Sequence, residues 1–410
     1  MSTSIHLTVT SRNRLPQLSE LFATLADLIR INSVNAFYDD GPGEVQIAQY
    51  IESFFAMRGI ETWRQSVIDA NDSTEARFNV IARLPGLDSN RRIVLEAHMD
   101  TVSVEGMTIP PFEPHVQDGL MYGRGACDTK AGLAGMMHAI ANLKADGIVP
   151  PCDVLVAAVV DEEYSFQGVK TLCKVIKADA AIVAEPTNLR MAIASKGVLR
   201  WRIIAYGKSA HSSKVHLGTN AIYHMARLVL AIEQDHVSLS GRAHPLLGPA
   251  TCNVGKISGG VQVNFVPDRC VIEIDRRLLP SESVPDVLKN YSQLIDKLKC
   301  ENPGMDIKME SPMLVDEAWS VDPSSSIVQT ATEVLKCMGW NQQPIGVPFG
   351  SDASKLGRAG IPTIIFGPGS IDQAHASVEY IELQQVEQAC DFYKRCVLGF
   401  NIANSQDILK

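Results

Sequence analysis

Imidazoles and carboxylates recur along this chain at the points where apolar runs stop. His98 and Asp100 follow the run 93–97, Asp161, Glu162 and Glu163 follow 154–160, and Glu185 follows 180–184. His375 comes after the run 363–366, and Asp128 opens a segment rich in Ala, Met and Leu over 129–143. Residues i and i+2 of an extended chain point the same way. The Asp100 carboxylate can therefore accept the second ring N–H of His98, fix its tautomer and leave the other nitrogen for a metal. Asp128, at a helix N-terminus, is kept ionised by the helix dipole. Two histidines and three carboxylates, with Asp128 as the bridge, could hold two zinc-like ions through nitrogen and oxygen. The ions bring four positive charges, and Asp128, Glu163 and Glu185 bring three negative ones. The remaining positive charge would hold a hydroxide and polarise a carbonyl.

Each of these residues has a plainer reading when taken singly. His98-Met99-Asp100 can be a satisfied polar pair, Glu162-Glu163 a solvated turn, and His375 a structural imidazole. Glu185 before Pro186 can simply end a strand, and Asp128 can be a helix N-cap. For the metal reading to fail, all of these must hold together. Other site motifs are missing: there is no G-x-S-x-G, no G-x-x-x-x-G-K-[ST] and no H-E-x-x-H. Gly123-Arg124-Gly125 begins like a dinucleotide fingerprint, but Asp128 stands where its third glycine belongs. The nine cysteines are scattered singly without a C-x-x-C pair. An odd, dispersed set reads as reduced thiols in a cytoplasm-like compartment, so metal ligands must be histidines and carboxylates.

The elements that must position these groups are visible as periodicity. Residues 17–28 and 45–57 carry helical apolar spacing, with Gly59 as the stop of the second. Strands are predicted over 78–84, 93–97, 154–160 and 180–184, and helices over 129–143 and 168–176. Unbroken apolar strands alternating with helices predict an α/β layer architecture with a mostly parallel sheet. Ligands bind such sheets at the carboxyl ends of the strands, which is where the acids and imidazoles fall. Near Gly197 the character changes. A half-alternating strand (201–206), a helix (220–233), two strands (250–257 and 263–278) separated by Gly259-Gly260, a helix (284–298) and a strand (306–309) give the order βαββαβ. That is the order of a ferredoxin-like sandwich. A helix at 325–337, a strand at 363–366 and a helix at 383–397 then resume the α/β pattern. The chain thus divides into a discontinuous α/β domain, 1–196 and 311–410, and an inserted domain, 197–310.

Composition sets outer limits. At 410 residues, 46% hydrophobic and 20% charged, the chain is an ordinary globular one of two or three domains. A net charge of −9 disfavours sequence-independent nucleic-acid binding, which needs a basic face. The longest apolar run, 154–160, is far short of the ~20 residues of a membrane helix. The polar start MSTSIHLTVTSRNR shows no secretory signal.

The segments LEAHMDTV (95–102), YGRGACDTKAGLAG (122–135), VVDEEYSFQG (159–168), VAEPTN (183–188) and the late His375 resemble the metal-site blocks of the dinuclear zinc amidohydrolases. That family includes acetylornithine deacetylase, succinyl-diaminopimelate desuccinylase, aminoacylase and glutamate carboxypeptidase. The resemblance runs in order over nearly the whole chain. It implies that His98 and Glu185 bind one divalent ion, Glu163 and His375 the other, and that Asp128 bridges them. The metal would be zinc, with cobalt as the alternative. Asp100 would orient His98, and Glu162 would be the general base for attack of zinc-bound hydroxide on the amide of an N-acyl amino acid or dipeptide. Strand alternation would turn Glu162 and Glu163 to different sides. The resemblance further implies a cytoplasmic homodimer whose inserted domain is a lid and dimerisation module. There His211 would reach the partner's site to polarise the scissile carbonyl, while Asn264 and Arg277 would hold the substrate carboxylate. Gly350-Ser351-Asp352 matches a loop near the site without an assigned role. After Asp128 the run Thr129-Lys130-Ala131-Gly132 departs from the family's Met and paired glycines, which leaves the ligand intact. Cys127 is expected to be a buried thiol. A non-catalytic amino-acid- or peptide-binding protein of the same fold is the alternative from another class.

Overall fold

The computed structural model describes residues 19–67 and 77–400. The reading of the first residues as free of a secretory signal lies outside these. Cys152–Val159 is buried along its whole length, as an apolar strand covered on both faces must be. It pairs in parallel with Asp88–His98, which pairs in parallel with Ala180–Val183, and that strand in parallel with Thr363–Ile365. These four form the centre of a nine-stranded sheet. The fold is α/β with a mostly parallel central sheet, as the sequence pattern predicts.

The outer strands are mostly antiparallel and less legible. Glu61–Val67 runs against Arg77–Leu84, which runs against Cys152–Val159. At the far side, Ala192–Ser195 pairs antiparallel with Trp319–Ser320. Glu61–Val67 is mostly exposed, so it lacks the apolar run that marks the central strands. Helices Glu20–Arg30, Val45–Ala56, Lys130–Ala145, Ser326–Cys337 and Leu383–Gly399 bury their apolar sides against one face of the sheet. Gln167–Val175 and Ala353–Arg358 cover the other. This is the three-layer arrangement expected of the class.

A separate five-stranded antiparallel sheet has its own core around Trp201, Leu228, Ile272 and Tyr291. Its strand order is Thr251–Gly259, Arg269–Leu278, Gly197–Tyr206, Asp306–Met309, and Leu314–Asp316 also pairs with Gly197–Tyr206. Helices Ala221–Leu239 and Val284–Glu301 pack on one face. The other face carries a charged ladder in which Arg200 meets Asp275 at 2.7 Å and Arg202 meets Glu273 at 2.9 Å. The two chain crossings into this sheet lie side by side. A Cβ on Gly197 would stand 2.4 Å from the Ala318 main-chain nitrogen. One sequence expectation is corrected here. The strand expected from residue 263 begins only at Arg269, because Pro267 cannot donate to a ladder. Residues 260–268, Asn264 among them, form a broad connection instead.

Candidate metal centre

The register of the central strands brings their carboxyl ends level. His98 lies opposite Val159, while Glu96 and Ile365 both lie opposite Val183. The segments leaving these ends converge. His98 Nε2 is 3.1 Å from Asp128 Oδ1, and His375 Nε2 is 3.4 Å from Asp128 Oδ2. Asp128 thus stands between two imidazoles with one oxygen toward each. His375 Nε2 also lies 3.1 Å from Glu163 Oε2. Single ligand atoms of His98, Asp128 and Glu163 lie within 4.8 Å of one another, as do those of His98, Glu162 and Glu185. All five residues expected to bind metal are therefore brought together, with Glu162 beside them. His98, Asp128 and Glu185 are buried. The His375 side chain is 54% exposed and marks the open side.

Packing so many acids in one place has an electrostatic consequence. Burial alone would push the His98 imidazole down, but hydrogen bonds to Asp100 and Asp128 hold it well above its usual value. Asp128 and Glu163 raise His375 to about 10. Burial, reinforced by Glu185, pushes Glu162 well up, and burial with Asp128 does the same to Glu185. Bound cations would supply the positive charge that this concentration of acids calls for. The donors are nitrogen and oxygen, a set suited to zinc and its neighbours. The thiol of Cys127 is buried and donates to the Ser370 carbonyl at 3.3 Å.

Two expectations about local geometry change. His98 Nδ1 meets the main-chain carbonyl of Asp100 at 2.9 Å, while the Asp100 carboxylate stands 3.6 Å away. That carboxylate is turned to the next loop, accepting from the Glu162 and Glu163 main-chain N–H groups at 3.1 Å each. The two glutamates are not divided by strand alternation. Their strand ends at Val159, and Asp161, at φ 67°, turns the chain.

Several residues support this arrangement, most of them buried and most not singled out from the sequence. Glu379 accepts from the main-chain N–H groups of Gly125, Cys127 and Asp128 at 3.0, 2.9 and 3.1 Å, and from Arg124 Nη1 at 2.7 Å. It fixes the loop that presents Asp128. Thr129 Oγ1 donates to the Ala184 carbonyl at 2.9 Å and ties that loop to the Glu185 strand. Asn35 Nδ2 donates to Asp100 Oδ2 at 2.8 Å and Asp161 Oδ1 at 2.9 Å. Arg77 joins Asp161 at 3.5 Å to Glu44 at 2.6 Å. Asp352 of the Gly350-Ser351-Asp352 loop is buried near Glu96, and burial together with that neighbour pushes the Glu96 carboxyl well up. The only sequence signal for Glu379 is an acid closely following His375. Asn35 looks like any turn asparagine.

The remaining expected residues lie on the five-stranded sheet and its loops. His211 and Asn264 are exposed and adjacent: His211 bridges to Phe265, and the Ser212 N–H donates to the Asn264 carbonyl at 2.9 Å. Arg277 Nε donates to Asp275 Oδ1 at 2.9 Å. None of the three bonds to the acid and imidazole cluster of its own chain among the described residues.

The chain is similar to known proteins over most of its length. The family described as peptidase family M20/M25/M40 matches residues 94–399. Acetylornithine deacetylase of Myxococcus xanthus is 27% identical over 391 residues, covering 93% of this chain and 98% of that protein. A Staphylococcus aureus protein named probable succinyl-diaminopimelate desuccinylase is 25% identical over 418 residues, covering 93% of this chain and 97% of its own. The crystal structure of aminopeptidase PepT from Bacillus cereus shares the fold with a TM-score of 0.77 at 23% identity, over 93% of this chain and 98% of that one.

Proposed function

The chain belongs to the peptidase family M20/M25/M40 and is a metal-dependent amidohydrolase, and from that premise we propose that it cleaves the amide bond of an N-acyl amino acid in the manner of acetylornithine deacetylase. The observation that carries this reading is the convergence of His98, Asp128, Glu163, Glu185 and His375, with a Glu162 oxygen within 4.8 Å of ligand atoms of His98 and Glu185. His98 and Glu185 would hold one divalent ion and Glu163 and His375 the other, with Asp128, whose two oxygens are directed to the two imidazoles, serving both. The metal is zinc, or cobalt in its place. When bound, the ions supply Lewis acidity and lower the pKa of water. Glu162 takes the proton of the attacking water and delivers it to the leaving amine. Asp100 sets the His98 ring through its carbonyl and the Glu162-Glu163 turn through its carboxylate.

Residues 197–310 serve as lid and dimerisation module, the returning strand Leu314–Asp316 completing its sheet, with 1–196 and the rest of 311–410 as the catalytic domain. Ile257, Val261 and Val263 are 59%, 89% and 101% exposed on that module, an apolar surface suited to a second copy. Across the dimer, His211 of one chain polarises the scissile carbonyl in the other. Asn264 and Arg277 hold the substrate carboxylate, and the Arg277 fork suits both oxygens. A cytoplasmic location fits the nine unpaired cysteines. No helix among the described residues is long and apolar enough to cross a membrane.

Turnover of N-acetylornithine, N-succinyl-diaminopimelate and dipeptides with zinc or cobalt tests the reading. The desuccinylase-like relative makes desuccinylation the second reading. Inactivity on all three classes sinks the substrate assignment. Glu162→Gln is expected to lose about 10²–10⁴-fold in kcat while elemental analysis still finds both ions. Retained turnover would remove Glu162 from its role.

A further inference from the structure

Between helices Glu20–Arg30 and Val45–Ala56 the chain crosses the same sheet edge, and buried Asn35 anchors it there. The Asn35 Oδ1 accepts from the Phe37 N–H at 3.0 Å, and its main-chain carbonyl accepts from the Tyr38 N–H at 3.0 Å. Asn35, whose side chain bonds to Asp100, thus also directs the next two aromatic residues, Phe37 through its side chain and Tyr38 through its main-chain carbonyl. On the opposite bank Tyr164 follows Glu163 directly. The Phe37 and Tyr164 rings stack with centroids 4.4 Å apart and planes 10° from parallel, and Tyr38 meets Tyr164 edge-on at 6.3 Å and 81°. Even so, Phe37 is 39% and Tyr164 50% exposed.

We propose that Phe37, Tyr38 and Tyr164 form the specificity wall of the site and receive a flat or bulky apolar group of the substrate. Derivatives of aromatic and large apolar amino acids are then better substrates than those of alanine or ornithine. The inference rests on the amidohydrolase reading and narrows it. The rings are already packed against one another and against the turn that carries Glu162 and Glu163, so little side-chain freedom is lost when a ligand ring covers them. Aromatic rings gain beyond area burial when they stack offset or edge-to-face. A cation has less to gain, because the Arg77 guanidinium already sits 5.5 Å from the Phe37 ring centroid.

The test compares N-acetylphenylalanine, N-acetylalanine and N-acetylornithine on the zinc-loaded protein and on Tyr164→Ala, Phe37→Ala and Tyr164→Phe. N-acetylphenylalanine is expected to lead by about two- to tenfold in kcat/KM, an effect of the size of one aromatic pair. Tyr164→Ala and Phe37→Ala should erase most of that lead through KM, and Tyr164→Phe should keep it. A ratio near one, a higher kcat/KM on N-acetylornithine, or a lead that both alanine variants retain with metal content intact overturns the wall and leaves amide hydrolysis standing. If an alanine variant loses metal, Tyr164→Leu is read in its place. If nothing is hydrolysed, calorimetric binding of the same ligands decides. Tighter binding of N-acetylphenylalanine, lost in the Tyr164 variant, upholds the wall although the reaction assignment fails, and equal binding overturns both.

Discussion

Glu379 shows how far a ligand's position is set by a residue that need not touch the ion. Its carboxylate gathers three main-chain N–H groups and the Arg124 guanidinium in a buried pocket, and the last of those N–H groups belongs to Asp128. Glu379→Ala leaves the Arg124 charge and three donors unpaired. The expected cost is about 3–5 kcal/mol in denaturant unfolding, with zinc affinity reduced about 10–100-fold in a competition titration. A second residue governs pH behaviour away from the metal. His138 is buried, hydrogen-bonds with Thr24 Oγ1 at 2.8 Å and packs against Phe54. Burial, and to a lesser degree Arg58, holds it down to about 4 from 6.5. The unfolded chain therefore binds the extra proton first as pH falls. Stability is complete above pH 6.5 and declines toward pH 4, by on the order of 3 kcal/mol. His138→Gln should flatten that part of the stability–pH curve, and an unchanged slope would assign it to other groups.

At the scale of elements, the site depends on how closely helix Lys130–Ala145 approaches the strand Ala180–Val183. A Cβ on Gly132 would lie 2.6 Å from the Ala184 Cβ, so only glycine lets the first turn of that helix reach the strand end. Asp128 and Glu185 lie immediately beside this contact, and the Thr129–Ala184 hydrogen bond holds it shut. Gly132→Val should push the helix outward, cost about 1–3 kcal/mol as overpacking does and lower the number of ions retained after dialysis. Full metal retention would show that the two ligands move independently of the helix. The Glu162-Glu163 turn obeys the same logic from the other side. Asp100, one strand away, takes both main-chain N–H groups, so base and ligand are positioned by one carboxylate.

At the scale of the whole molecule, the proposed dimer makes a prediction no single chain can satisfy. His211 lies on the inserted module and bonds to no member of the acid and imidazole cluster of its own chain among the described residues. If it serves the partner's site, His211→Ala and Glu162→Gln chains are each inactive alone. Mixed in equal amounts, half the dimers pair the two types and carry one intact site each, so about a quarter of full activity returns. No recovery after subunit exchange, verified by mass, would place His211 in its own chain's chemistry or outside chemistry altogether.

Much of this architecture is legible in the sequence because its signals are local. An eight-residue strand such as Cys152–Val159 that is covered on both faces must be apolar throughout, and the residue at which the apolar run stops is where a side chain can meet solvent and substrate. The order of the acids and imidazoles along the chain therefore marked the strand ends, and with them the candidate ligands. The inserted βαββαβ unit showed itself in the same way, through half-alternating strands with one solvated face. Tertiary structure alone decided what depends on distant pairing. Arg124 and Glu379 are 255 positions apart, and Asn35 and Asp161 are 126 apart, and neither pair leaves a periodic trace in the sequence. The antiparallel outer strands, the turning of Asp100 toward the Glu162-Glu163 loop and the meeting of Phe37 with Tyr164 are of the same kind. Each is fixed by which buried donor finds which acceptor, or which ring finds which ring, once the sheet has set the distances.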